Sequence, residues 1–148
     1  MKKPIYYTGY VNIDAPKEKV WDALINPALT PLYMYNCEPI TDWQIGSPLV
    51  WRGKIDGTEY VTGKVLRFEP GKMLSFTTFN PMGDFPDVPE NHLVTSYAIK
   101  PIKEGGVELT VSQGDFAAVA DGVNRFKDAD GWMTVLVAIK ELVEEEIA

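Results

Sequence analysis

Histidine and cysteine, the side chains that most often bind transition metals or act as bases and nucleophiles, occur once each in this 148-residue chain. They are His92 and Cys37, and they lie in different segments. A zinc or iron site needs three or four convergent ligands, at least some of them imidazole or thiolate. We therefore expect no tightly bound transition metal and no cofactor.

A single histidine can still act as a general base, because histidine titrates near physiological pH. Ser96 follows His92 by four residues, but four positions along a strand span roughly 13 Å at ~3.3 Å per residue. A His92–Ser96 dyad is therefore excluded, and we interpret His92 as a strand-edge residue at the mouth of the sheet. One enzyme hypothesis stays open, in which His92 or Tyr97 moves a proton on a substrate, as in cyclases or dehydratases.

Aromatic side chains point instead to an apolar binding cavity. Trp132 begins the terminal helical stretch, and period-2 alternation aims Trp51 and Tyr97 at that helix. In VELTVSQ, residues 107–113, the same alternation adds Gln113 to an otherwise apolar inward set. A buried amide needs partners, so Gln113 would contact a ligand, a water or the helix. The predicted cavity residues are Trp51, Tyr97, Leu109, Val111, Gln113, Trp132, Leu136 and Ile139.

One helix and one sheet must position these residues. From Asp130 to Ala148, apolar residues recur at intervals of three and four, the spacing of a helix that buries one face. The pattern of residues 39–114 predicts a series of strands, with residues typical of turns at 56–57, 70–71 and 105–106. On the first hairpin we expect a two-residue turn, with Leu49, Trp51, Gly53 and Ile55 on the inward face.

The beginning of the chain predicts one strand followed by two short helices. Residues 5–13 are rich in β-branched and aromatic residues, and Pro16 follows where a helix is expected to begin. A second short helix or turn is expected at about 28–34. The predicted fold class is α+β, with about six to seven strands of a curved antiparallel sheet wrapped on the C-terminal helix.

Residues 80–91, NPMGDFPDVPEN, form a long connection with three prolines. Structureless loops of this length are uncommon and are often functional. Two interpretations are open: an ordinary surface loop pinned by its prolines, or a lid over the cavity that carries Met82 and Phe85.

Length and charge limit the remaining possibilities. A chain of 148 residues is expected to form one domain, 1–148, with a self-sufficient core. The formal charge of −7 and the lack of a Lys/Arg cluster argue against a nucleic-acid partner. Without a long apolar run or a signal-peptide pattern, no membrane partner is expected, and the lone cysteine favours the cytoplasm. An exposed strand edge leaves both monomer and homodimer open.

Three local signatures occur in a recognisable order along the chain. They are APKEKVWDAL at 15–24, GKVLRFEPGKMLSFTT at 63–78, and GW at 131–132 before the long helix. In this order the chain resembles the START-like, helix-grip (SRPBCC) superfamily, specifically single-domain homologues of the C-terminal domain of the heat-shock-protein-90 ATPase activator. The resemblance implies a sheet gripping the terminal helix, with a cavity that in related families holds hydrophobic molecules.

The functional expectation is a small cytoplasmic protein that holds a hydrophobic small molecule between the sheet and the C-terminal helix. Two alternatives stay open. One is the cofactor-free enzyme described above. The other is an interaction module resembling the chaperone-activator domain and acting through its surface, although the separate N-terminal domain of the full co-chaperone is lacking.

Overall fold

The computed structural model describes residues 3–147, in which three helices accompany a single seven-stranded sheet. The strands are β1 (Tyr7–Ile13), β2 (Cys37–Ile40), β3 (Pro48–Gly53), β4 (Glu59–Glu69), β5 (Met73–Thr78), β6 (Leu93–Pro101) and β7 (Val107–Gly114). The helices are α1 (Lys17–Ile25), α2 (Gly122–Phe126) and α3 (Gly131–Ile147). Single 3₁₀ turns lie at Thr30–Leu32 and Pro89–Asn91.

The sheet is an antiparallel meander with strand order β1-β7-β6-β5-β4-β3-β2. Register shifts interrupt the β3–β4 and β4–β5 pairings, and such bulges bend strands. Gly63 lies in this region, where a Cβ would come within 1.8 Å of the Thr77 carbonyl oxygen. The predicted α+β fold with a curved antiparallel sheet and a long C-terminal helix is therefore confirmed.

Helix α3 buries the predicted apolar stripe. Val135, Leu136, Ile139 and Val143 are all buried in the main core, together with inward residues of the sheet and of α1. The predicted helix reaches residue 148, which lies outside the described residues. Because this face carries only apolar side chains, its burial is the main contribution of α3 to stability.

Polar contacts attach the far end of α3 to the end of β1. The Lys140 ammonium donates to the Asn12 carbonyl at 2.6 Å and to the Glu144 carboxylate at 2.7 Å. Glu144 also accepts the Asp14 backbone N–H at 2.8 Å. The Lys140 and Asp14 hydrogen bonds lower the pKa of Glu144. These contacts hold the helix close to the sheet at this end.

The segment after α1 contains a 3₁₀ turn at Thr30–Leu32, within the stretch 28–34 where a second short helix or turn is predicted. Pro27 has no N–H to bond the Ala23 carbonyl, so α1 cannot continue through it. The Tyr33 hydroxyl, carried just past the 3₁₀ turn, donates to that carbonyl at 2.6 Å. The buried backbone acceptor is therefore satisfied by a side chain from the next element.

The predicted two-residue hairpin at residues 56–57 is wrong. Strand β3 ends at Gly53 and β4 begins at Glu59, because the Asp56 carboxylate binds the Thr58 N–H and the Tyr60 hydroxyl and closes a wider loop. Ile55 therefore lies in the loop and is 86% exposed, so its predicted inward position is also wrong. The inward positions of Leu49 and Trp51 are confirmed, since both are buried.

Substitution of Leu136 by alanine tests the packing of α3. Leu136 is 0% exposed, so the truncation should lower the free energy of unfolding by about 2–5 kcal/mol. Val137→Ala, on the exposed face of the same helix, should change it by less than about 0.5 kcal/mol. Urea denaturation measures both, and equal effects would contradict the assigned helix face.

Candidate ligand-binding cavity

A cavity of about 560 Å³ lies on the inward face of the sheet, beside the first turn of α3. Strands β3 to β7 contribute half of its lining residues, and the others come from β2 and the segment before it, from residues 79–80, from α2 and from α3. Its lining residues are Met34, Tyr35, Cys37, Trp51, Tyr60, Val61, Phe76, Thr78, Phe79, Asn80, Leu93, Gln113, Arg125 and Trp132. Most of this surface is aromatic or aliphatic, and only one lining side chain is charged.

Successive aromatic rings connect the sheet to α3 along this wall. The centroid distances are 6.0 Å for Trp51–Phe76, 6.3 Å for Phe76–Tyr97 and 5.9 Å for Tyr97–Trp132. Strand alternation aims the first three rings inwards, and Trp132 meets Tyr97 edge to face. These contacts fix the position of the α3 N-terminus over the sheet.

Gln113 links the sheet to α3 through both ends of its amide. Its Nε2 donates to the Thr95 hydroxyl at 3.0 Å, and its Oε1 accepts from Trp132 Nε1 at 3.1 Å. Thr95 lies opposite Gln113 in the β6–β7 register and is fully buried. Gln113 is half-buried, and of the three partners considered for it, the helix supplies one through Trp132.

The Tyr97 hydroxyl is buried and has no hydrogen-bond partner within residues 3–147. Burial raises the pKa of Tyr97 well above its ordinary value. The hydroxyl is thus poorly suited to exchange a proton at neutral pH. Tyr97 itself packs behind the cavity wall, between Phe76 and Trp132.

The predicted cavity residues fall into two sets. Trp51, Gln113 and Trp132 line the cavity. The other five are fully buried in the core next to it and do not form its wall, namely Tyr97, Leu109, Val111, Leu136 and Ile139. A direct ligand contact for the second set stays a prediction.

Several lining residues escaped the sequence analysis. Met34 and Cys37 lie in the proline-containing segment whose structure was ambiguous, and Arg125 lies in the link between β7 and α3. Cys37 is the only thiol, and burial, followed by the charge of Asp56, raises its pKa. Strand alternation could have identified Leu93, because it lies four residues before Tyr97 on β6 and therefore shares its face.

The mouth of the cavity is bordered by α2 and by the proline-containing loop 80–91. The Arg125 guanidinium donates through Nη1 to the Ala120 carbonyl at 3.1 Å and lies 5.7 Å from the Phe85 ring centroid. Asn91 joins the same segments, because its Oδ1 accepts the Ala120 N–H at 3.1 Å. Phe85 is half-buried and Met82 is exposed, and neither lines the cavity.

His92 lies outside the cavity. Its Nε2 is 2.6 Å from an Asp87 oxygen, and its ring stacks on Phe79 at 5.0 Å. It faces a separate depression that Gly63, Lys64 and Thr77 also line. Ser96 pairs with Ser75 on the neighbouring strand, in keeping with the exclusion of a His92–Ser96 dyad.

In the described part of the chain, no cluster of three or more His, Cys, Asp or Glu side chains is arranged to hold a metal ion. None of the helices within residues 3–147 has the length and apolar character needed to cross a bilayer.

Comparison with known proteins gives one family and several similar structures. The family model described as "Activator of Hsp90 ATPase homolog 1-like protein" matches residues 14–144. No curated protein matches the chain.

The solution structure of ChR145 from Cytophaga hutchinsonii is 31% identical, with a TM-score of 0.77 and 99% of each chain covered. The crystal structure of MLL2253 from Mesorhizobium loti is 22% identical, with a TM-score of 0.76, covering 95% of this chain and 98% of that one. The Aha1 dimer from Colwellia psychrerythraea is 16% identical, with a TM-score of 0.71 and coverage of 95% and 96%. At these identities the last two show a shared fold only.

The Thr95–Gln113 hydrogen bond can be measured with a double-mutant cycle. Thr95→Val and Gln113→Leu each remove one partner of a bond at the helix–sheet junction, so we expect a coupling energy of about 1 kcal/mol. Thr110→Val, on the opposite face of β7, is the control and should show no coupling to Gln113→Leu. Urea denaturation gives the four stabilities, and a coupling near zero would contradict the bond.

Tyr97→Phe tests the unpartnered hydroxyl. Removing a buried polar group that has no partner should raise the free energy of unfolding by about 1 kcal/mol. Tyr33→Phe is the matched control, and it should lower stability by about 1–2 kcal/mol because it leaves the Ala23 carbonyl unpaired. Thermal and urea denaturation measure both. If Tyr97→Phe is as destabilising as Tyr33→Phe, then a ligand, a water or another group binds the Tyr97 hydroxyl.

Proposed function

We propose that this chain, which belongs to the Activator of Hsp90 ATPase homolog 1-like protein family, binds a hydrophobic small molecule in the cavity between its sheet and α3. The observation that carries the proposal is the cavity of about 560 Å³ with a largely apolar wall. Small-molecule sites are typically concave, mostly apolar spaces of about 300–1,000 Å³ with a few placed polar groups.

The polar groups of the cavity wall favour an apolar occupant. Gln113 uses both ends of its amide within the protein, and the Tyr60 hydroxyl binds Asp56. A ligand with many polar groups would meet few partners in the interior and would lose its hydration without compensation. An apolar body would instead contact the rings of Trp51, Phe76 and Trp132.

The enzyme alternative has less support from the same residues. His92 lies outside the cavity and pairs with Asp87, while the buried Tyr97 hydroxyl keeps its proton at neutral pH. The support for a surface function resembling that of a chaperone activator is limited to the family match. Both alternatives therefore rank below ligand binding.

We also propose that loop 80–91 is the lid of this cavity. Asn80 lies in the wall, and Phe85 contacts Arg125 at the rim. Separation of the Phe85–Arg125 and Asn91–Ala120 contacts would uncover the mouth. Met82 and Phe85 would then be the apolar side chains available to a ligand during passage.

Location and assembly remain part of the proposal. The single cysteine fits a reducing compartment, so we propose a cytoplasmic protein formed by one domain, 1–148. The Colwellia psychrerythraea relative is a dimer. A homodimer of this chain would use β1 or β2, the two edge strands, and otherwise the chain is a monomer.

Cys37 gives a direct test of binding because it is the only thiol and lines the cavity. We expect the neutral fluorophore N-phenyl-1-naphthylamine to bind saturably and to slow alkylation of Cys37 by N-ethylmaleimide about tenfold. At a fluorophore concentration of roughly 10 times its Kd, only about a tenth of the sites stay open, which sets that factor. Mass spectrometry follows the alkylation rate.

Two tryptophan substitutions complete this test. Val61→Trp adds a large ring to the cavity wall and should weaken fluorophore binding, whereas Ile45→Trp adds the same ring at an exposed site and should leave binding unchanged. A folded wild-type protein that binds no fluorophore would refute the proposed function. Equal binding by the two variants would place the fluorophore elsewhere.

A further inference from the structure

We propose that the cavity selects an amphiphile with a carboxylate head, which Arg125 binds at the mouth while the apolar body lies inside. The inference rests on the proposed function and names its ligand class. It follows from the placement and the unused donors of a single cationic side chain.

Arg125 is the one charged residue among those lining the cavity. It stands out in a chain with a formal charge of −7. The other lining residues are apolar, aromatic or neutral and polar. A ligand in this cavity therefore meets positive charge at one end only, where α2 borders the mouth.

Most hydrogen-bonding capacity of Arg125 is unused within residues 3–147. A guanidinium has five N–H donors, and here one bond runs to the Ala120 carbonyl. None of the four ion pairs in this described part of the chain includes Arg125. The side chain is half-buried, and this burial lowers its pKa, with Asp121 opposing the change. A partly dehydrated cation with spare donors favours an anionic partner.

The contacts around Arg125 hold the guanidinium in place for such a partner. The Ala120 bond and the Phe85 ring restrain it from two sides. A planar guanidinium matches the two oxygens of a carboxylate. Asp128 borders the adjoining depression together with Arg125, and Asp121 acts electrostatically on it. These two carboxylates disfavour a doubly charged phosphate head, so the assignment is to a singly charged carboxylate.

The test compares decanoate with 1-decanol, which has the same apolar chain and a neutral head. Each is titrated against bound N-phenyl-1-naphthylamine, and the displacement of fluorescence gives its Kd. Wild-type protein should bind decanoate more tightly than 1-decanol. Arg125→Gln should weaken decanoate about tenfold or more and leave 1-decanol within about twofold, because only the charge-assisted bonds are lost.

Two further variants separate charge recognition from structural damage. Lys127→Gln removes an exposed cation two residues away that does not line the cavity, and it should leave both affinities unchanged. Arg125→Lys keeps the charge and should retain a preference for decanoate. Thermal denaturation confirms that each variant is folded.

Specific outcomes overturn the inference. The inference is wrong if the wild type binds 1-decanol more tightly than decanoate, or if Arg125→Gln weakens both ligands equally. It is also wrong if decyl phosphate binds more tightly than decanoate. If the fluorophore binds and decanoate fails to displace it, the carboxylate assignment is wrong while the proposed function stands. If the fluorophore itself does not bind, the proposed function fails, and this inference fails with it.

Discussion

The hydrogen-bonded series Trp132–Gln113–Thr95 is the constraint on which the helix–sheet arrangement depends. Farther along α3, the apolar side chains of Leu136, Ile139 and Val143 are buried in the main core with the inward residues of the sheet. At the near end, an indole N–H and an amide fix the separation at hydrogen-bond length. Since neither group can approach the other more closely, the helix cannot collapse onto the sheet there, and the cavity lies beside this junction.

Rigid aromatic side chains maintain the same separation on the sheet side. The rings of Trp51, Phe76 and Tyr97 contact each other through tilted packing, which limits how far any one of them can turn into the open space. A cavity of about 560 Å³ lacks the dispersion contacts that a filled core would provide. The buried apolar face of α3 opposes this loss of stability, while Trp132 of the same helix lines the cavity.

The sequence predicted the fold, and which side chains of each strand point inwards, better than it predicted the extent of the site. Period-2 alternation is a local property, and it correctly placed Leu49, Trp51 and Gln113 on the inward face. Whether an inward residue reaches the cavity or lies in the core depends on where α3 crosses the sheet, which is a tertiary property. Leu109 and Leu136 therefore lie in the core although their pattern is the same. Ile55 was misplaced because hydrogen bonds of Asp56 widened its loop.

The charge of the whole chain and the charge of the cavity mouth act over different distances. A formal charge of −7 repels anions at long range, but at physiological ionic strength the screening length is only about 8 Å. Arg125 acts within contact distance and is half-buried, where solvent screens less. Arg125 therefore determines how tightly an anionic head binds once it reaches the mouth. The surrounding acidic surface affects chiefly the rate of encounter. Burial of an apolar body against the cavity wall adds binding free energy that a small soluble anion lacks. The arrangement therefore favours anions that carry a large apolar body over small soluble anions.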